Sequence, residues 1–189
     1  MFEMFSALGE AIATHWAIWL VTITLIVAAV IDGFELKVPN WITYPFIVSG
    51  WVYSFALFGW EGLGWSLVGT VVGLLLLLPP YAIGGMGAGD VKLLAGIGAW
   101  ISVSHTVNAY CVSAIVGAVC AVLMVLVRKA WKKHSDQFWM ILNEILAVKN
   151  PDKLSEIAAE RKPRMLLLPY GIPIAIGTIG YFVWAGMLI

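Results

Sequence analysis

The chain has 189 residues, 61% of them hydrophobic and only 12% charged, with a formal net charge of zero. A mean hydropathy of +0.93 is far from a soluble globular composition and places the chain in a bilayer. The balanced charge gives no general attraction to nucleic acid, and the length suits a single membrane-embedded domain, residues 1–189.

At the start of the chain, Met1 to Thr14 carries Glu3 and Glu10 but no Lys or Arg, so the basic opening of a secretory signal is missing. The first apolar stretch, about His15–Ile31, is therefore expected to be a retained span. Five more follow: about Trp41–Phe58, Trp65–Ile83, Val91–Val103, Val107–Val127 and Met165–Leu188. This predicts an all-α integral membrane protein, a bundle of six transmembrane helices. Lys and Arg occur only at Lys37, at Lys92 and between Arg128 and Arg164. The positive-inside rule then puts both termini outside and these basic connections in the cytoplasm.

The fourth span is short. Thirteen residues make about 20 Å of helix against roughly 30 Å of hydrocarbon. Glycines precede it in the run Gly84-Gly85-Met86-Gly87-Ala88-Gly89, so this stretch is expected to dip into the membrane as non-helical backbone. Between spans five and six, Phe138, Ile141, Leu142, Ile145, Leu146 and Val148 recur at helical spacing. Residues 128–164 thus predict a cytoplasmic amphipathic segment on the inner membrane surface, either a lipid-contacting connector or a docking surface.

Two acids stand out against this background. Asp32 follows the first span and heads Asp32-Gly33-Phe34-Glu35-Leu36-Lys37-Val38-Pro39-Asn40; Asp90 closes the glycine run and is followed by Val91-Lys92. With two crossings between them, both emerge on the same, cytoplasmic, side. A carboxylate at membrane depth costs roughly 2.5–3.5 kcal/mol on insertion scales, so a function is the default explanation. Two carboxylates close together do not both ionise cheaply, and one protonated and one ionised acid form an aspartyl protease dyad. One activates water and the other polarises the scissile carbonyl. Gly87 and Gly89 allow close approach of another chain. Pro39 suits the first turn of the second span, with Asn40 satisfying nearby backbone groups.

Asp32-x6-Pro39-Asn40 together with Gly87-x-Gly89-Asp90-Val91-Lys92 resembles the type IV prepilin peptidases, membrane aspartyl proteases of the GxGD class. The resemblance covers most of the chain and implies that Asp32 and Asp90 are the catalytic pair. Gly87, Gly89, Lys92, Pro39 and Asn40 are its motif support. It implies substrates among prepilins or pseudopilins with short basic leaders, cut at the cytoplasmic face of a prokaryotic inner membrane, and no metal or organic cofactor. Larger members carry a cysteine-based zinc motif after the first span and methylate the new N-terminus. Here that connection is only Gly33–Asn40 and no cysteine lies before Cys111, which predicts peptidase activity without methylation, as in short forms serving Flp-type pili.

Other features allow more than one role. Lys92 either tunes the acid pair, holds a carbonyl or snorkels to the headgroups. Leu168-Pro169-Tyr170-Gly171-Ile172-Pro173 is either an ordinary start to the last span or a segment that helps hold substrate. Glu35 is placed to meet a basic leader. Gly69 and Gly73 form a small-xxx-small pair. Cys111 and Cys120 lie roughly 13–14 Å apart along one helix, too far for a disulfide, and are expected as small packing residues. His15, His105 and His134 have no orienting partner in the sequence. Two other classes compete with a protease: a proton- or ion-coupled transporter, with paired acids near the midplane, and a non-catalytic subunit of a secretion machine.

Overall fold

Breaks in helical geometry, rather than loops, separate two pairs of the apolar stretches. The structure, a computed structural model, describes residues 15–82, 84–127 and 168–188. Within them lie four helices: α1 (Trp16–Glu35), α2 (Asn40–Ala82), α3 (Ala88–Val127) and α4 (Gly171–Trp184). No strand occurs among the described residues. The first three helices are long and apolar enough to cross a membrane, while α4 has 14 residues. The amphipathic segment expected at 128–164 lies outside the described residues, as do the N-terminal fourteen and the first turn expected for the last span.

Where hydropathy predicts six separate spans, α2 and α3 each run through two of them. Gly59 (φ 63°, ψ −148°) interrupts α2, and Ser102 (φ 71°, ψ 166°) interrupts α3. The reversal at Gly59 is direct. Trp51 Nε1 donates to Thr70 Oγ1 over 2.9 Å, although 19 residues of straight helix would hold them about 28 Å apart. A glycine is the residue that adopts this left-handed φ without a Cβ penalty. In α3, Gly117 packs against Tyr170, whose neighbour Gly171 bonds Asp32, while Gly89 packs on Val38 in the connection that follows Asp32, so the two limbs of that helix also fold back on one another.

The second limb of α2 meets the first limb of α3 through backbone. Gly69 and Gly98 sit with main chain against main chain, and Gly73 faces Leu94 and Ala95. This is the close approach that small residues permit between membrane helices. Leu93, Leu94 and Ile97 are fully buried by it. At the opposite end from the acids, Trp16, Tyr53 and Trp100 cluster with ring centroids 4.9–6.2 Å apart, and Tyr181 joins His105 at 2.6 Å. His105, expected to lack a partner, therefore has one in Tyr181. Cys120 is half-buried, but Cys111 is exposed, so the packing role expected for that thiol does not hold; its side of α3 faces outward. Trp41, Trp60, Trp65 and Trp184 are exposed at helix ends or beside Gly59.

Candidate active site

Asp32 lies in the last turn of α1 rather than after it. The helix continues three residues further and stops at Leu36, whose backbone is left-handed (φ 55°) and whose N–H donates to the Asp32 carbonyl. The Asp32 side chain is 2% exposed, and its Oδ2 accepts a 2.7 Å hydrogen bond from the amide of Gly171, at the first residue of α4. Burial of a carboxylate is tolerable when a backbone donor meets it.

Asp90 is built differently. Gly84 (φ 81°) ends the preceding helix, its N–H donating to Tyr81 O while Gly85 N–H donates to Pro80 O. Helix α3 then starts at Ala88, with Asp90 in its first turn. Asp90 Oδ2 accepts the amide of Gly87 at 3.0 Å, the reach-back of a capping box, and the positive end of the helix favours a carboxylate there. Asp90 is 4% exposed, so both acids are withdrawn from solvent.

The two motifs touch one another. Gly89 lies against Val38: a Cβ at position 89 would strike the Val38 carbonyl oxygen and stand 2.9 Å from its Cβ and 3.0 Å from its nitrogen. Gly89 is thus required by close approach of the connection between α1 and α2. Pro39 sits just before α2, and its carbonyl accepts from the amides of Ile42 and Thr43. Lys92 Nζ donates to Asn40 Oδ1 at 2.9 Å and to Tyr44 Oη at 3.0 Å, with the ammonium 4.6 Å from the Tyr44 ring centroid. To the roles open to Lys92 in the sequence the structure adds another, a strut between the second motif and the first.

The segment Tyr170-Gly171 closes the arrangement from the other side. Gly171 donates to Asp32 while its neighbour Tyr170 packs against Gly117 of α3. Sequence reasoning singled out Leu168–Pro173 but missed this partner of Asp32, and it missed Tyr44. The usable signal was a glycine flanked by prolines at the depth of the acid pair. Gly33 and Ile172 also meet here, 3.5 Å from a Cβ built on Gly33 to Ile172 Cδ1. Glu35 pairs with Lys37 at 3.6 Å on the exposed surface. A cavity of about 670 Å³ lined by Tyr53, Glu61, Trp65 and Trp100 lies at the opposite end, away from both aspartates. Among the described residues, no three His, Cys, Asp or Glu side chains gather as metal ligands.

Fold and site together define a helical membrane protein with two buried acids drawn to one end of its helices. Residues 19–122, more than half of the chain, match the type IV leader peptidase family, and the chain belongs to it. It is 30% identical over 132 residues to a prepilin leader peptidase/N-methyltransferase of Aeromonas hydrophila, covering 65% of this chain and 45% of that protein. A protein of the same description from Neisseria gonorrhoeae is 33% identical over 112 residues (56% and 39%), and one from Stutzerimonas stutzeri 34% over 122 residues (60% and 42%). The chain thus spans under half the length of these relatives. No solved structure matches it.

Proposed function

We propose that this chain is an aspartic endopeptidase that removes basic leaders from type IV or Flp-like prepilins or pseudopilins at the cytoplasmic membrane boundary. Asp32 and Asp90 are its catalytic pair. The observation that carries this is the approach of two buried carboxylates from separate helices, Asp32 held by the Gly171 amide and Asp90 following a Gly89 packed on Val38 of the connection after Asp32, in a chain of the leader peptidase family. Each acid is held by one backbone amide through Oδ2, which restricts rotation of the carboxylate. One acid takes a proton from water attacking the carbonyl before the cut; the other polarises that carbonyl and returns a proton to the leaving amine. The protons belong to the pair, and no metal enters the chemistry.

The chain crosses the bilayer six times, the reversals at Gly59 and Ser102 lying on the outer side and both termini outside. Basic residues at Lys37, Lys92 and 128–164 support that orientation in a prokaryotic inner membrane. Gly87, Gly89, Pro39, Asn40 and Lys92 hold the two motifs together. The stretch Gly33–Asn40, the end of α1 and the short connection to α2, holds no cysteine, which supports cleavage without N-methylation. Both acids stand at helix termini, in the last turn of α1 and the first turn of α3, which favours a boundary protease over a transporter with midplane sites.

The test is leader removal in proteoliposomes supplied with a type IV prepilin precursor. Asp32→Asn and Asp90→Asn are each expected to lower the rate by at least about a thousandfold while the protein still folds. Leader removal at the wild-type rate by either variant would discard the assignment, and ion flux lost in both would favour transport.

A further inference from the structure

An apolar groove of about 640 Å³ runs between α1 and α4 and ends beside Asp32. Ile26, Val30 and Phe34 form one ridge at i, i+4 and i+8, each at least half exposed, and Ile172 and Ile176 form the other. Between them the floor is small: Ala29, Gly33 and Ala175. Branched ridges over a floor of small residues accept a helix laid along them. The groove is continuous with the acid site. Gly33 follows Asp32 directly, and Ile172 follows the Gly171 whose amide holds the Asp32 carboxylate. The residue after Phe34 in the chain is Glu35, whose exposed carboxylate pairs with Lys37 at 3.6 Å.

We propose that this groove is the docking site for the apolar helix of the substrate, an inference that rests on the peptidase reading above. A precursor with a basic leader, a cut site and then a long apolar run has the polarity of the groove and its mouth in the same order. The leader meets Glu35, the cut site meets Asp32, and the apolar run lies along two turns of α1 and α4. Ile26 to Phe34 spans about 12 Å, so the groove grips the first turns of the run and leaves the rest to lipid. Substrate thus approaches from the α1–α4 side.

The test uses the full chain in proteoliposomes, with Cys111→Ser and Cys120→Ser as background. Single cysteines at Ile176→Cys and, separately, along the first three turns of a prepilin's apolar run are oxidised and crosslinks counted. Crosslinks recurring every third or fourth position of the run are expected. Filling the floor with Ala29→Trp is expected to raise KM for the precursor by about tenfold or more, a larger change than in kcat. Crosslinks without helical recurrence, or from Ile176→Cys only to a second copy of the chain, overturn the docking site. So does an unchanged KM in Ala29→Trp. In those cases wild-type cleavage of the precursor leaves the peptidase reading standing; a wild type that leaves the precursor whole overturns both.

Discussion

The amide of Gly171 donates to Asp32 Oδ2 across 139 residues of sequence, and a Cβ on Gly171 would stand 2.9 Å from that same oxygen and 3.0 Å from the Asp32 Cβ. One residue therefore both holds the carboxylate and must be bare to do so. The first turn of α4 is fitted to α1 at the point where the acid sits. Gly171→Ala must separate the two helices by a few tenths of an ångström. It is expected to lower kcat/KM for prepilin cleavage by at least about tenfold, since small displacements at a reacting centre are costly. Leader removal at the wild-type rate in Gly171→Ala membranes would show that this contact does not position the acid.

Gly87 and Gly89 look alike in sequence but face different neighbours. At Gly89 a methyl group meets the Val38 backbone, which cannot swing aside; at Gly87 its one tight contact is Asp90 Oδ2, at 3.3 Å. Gly89→Ala is expected to destabilise the protein by about 1–3 kcal/mol, as overpacking does, and to abolish most activity. Gly87→Ala is expected to keep stability within about 1 kcal/mol and lose less activity. Thermal unfolding in one detergent, with cleavage measured in parallel, ranks the two; the reverse order would contradict the packing described.

The acids, the glycine run and the apolar spans were legible in the sequence because each depends on local pattern: charge beside hydrocarbon, missing Cβ atoms, length. Gly59 and Ser102 fall within or next to the gaps that hydropathy leaves, yet the sequence does not say that the chain turns there within a helical run. Hydropathy puts Asp32 just outside its span, whereas α1 carries it inside, because αL termination at Leu36 has no glycine to announce it. What holds the acids was not legible. Nothing in the order of residues says that the amide meeting Asp32 comes from Gly171, or that Tyr44 shares Lys92 with Asn40. Such partners are products of tertiary packing. The roles that the sequence allows Lys92 do not include a strut to Asn40 and Tyr44, which exists only through the approach of α2.

Lys92 and Asn40 offer a measurable link between the two motifs. The bond is solvent-accessible, so a double-mutant cycle with Lys92→Met and Asn40→Ala is expected to give a coupling of only about 0.5–1 kcal/mol in stability. Its functional effect is expected to be larger than that, because Lys92 lies two residues after Asp90 and Asn40 opens α2 at the end of the connection that follows Asp32. Additive effects of the two substitutions on both unfolding and cleavage would mean that the contact joins nothing of consequence.

Ser102 is the one non-glycine residue in the described part of the chain that turns back a helix with positive φ; its φ of 71° and ψ of 166° fall where glycine is usual. Its side chain is exposed, and its carbonyl, which accepts Thr106 Oγ1 at 2.6 Å, survives any substitution. Replacement by glycine removes the Cβ clash and costs chain entropy in the unfolded state. Relief of strain of order 1–3 kcal/mol outweighs roughly 1 kcal/mol of lost restriction. Ser102→Gly is therefore expected to stabilise the protein by about 0.5–1.5 kcal/mol, and Ser102→Val to destabilise it by more, since β-branching worsens the same clash. Denaturation of the three proteins in a single lipid or detergent condition reads the order directly. The turn lies at the end of the bundle away from Asp32 and Asp90, so leader cleavage is expected to stay within about twofold of wild type in Ser102→Gly. A glycine variant less stable than the serine would mean that this reversal is not strained.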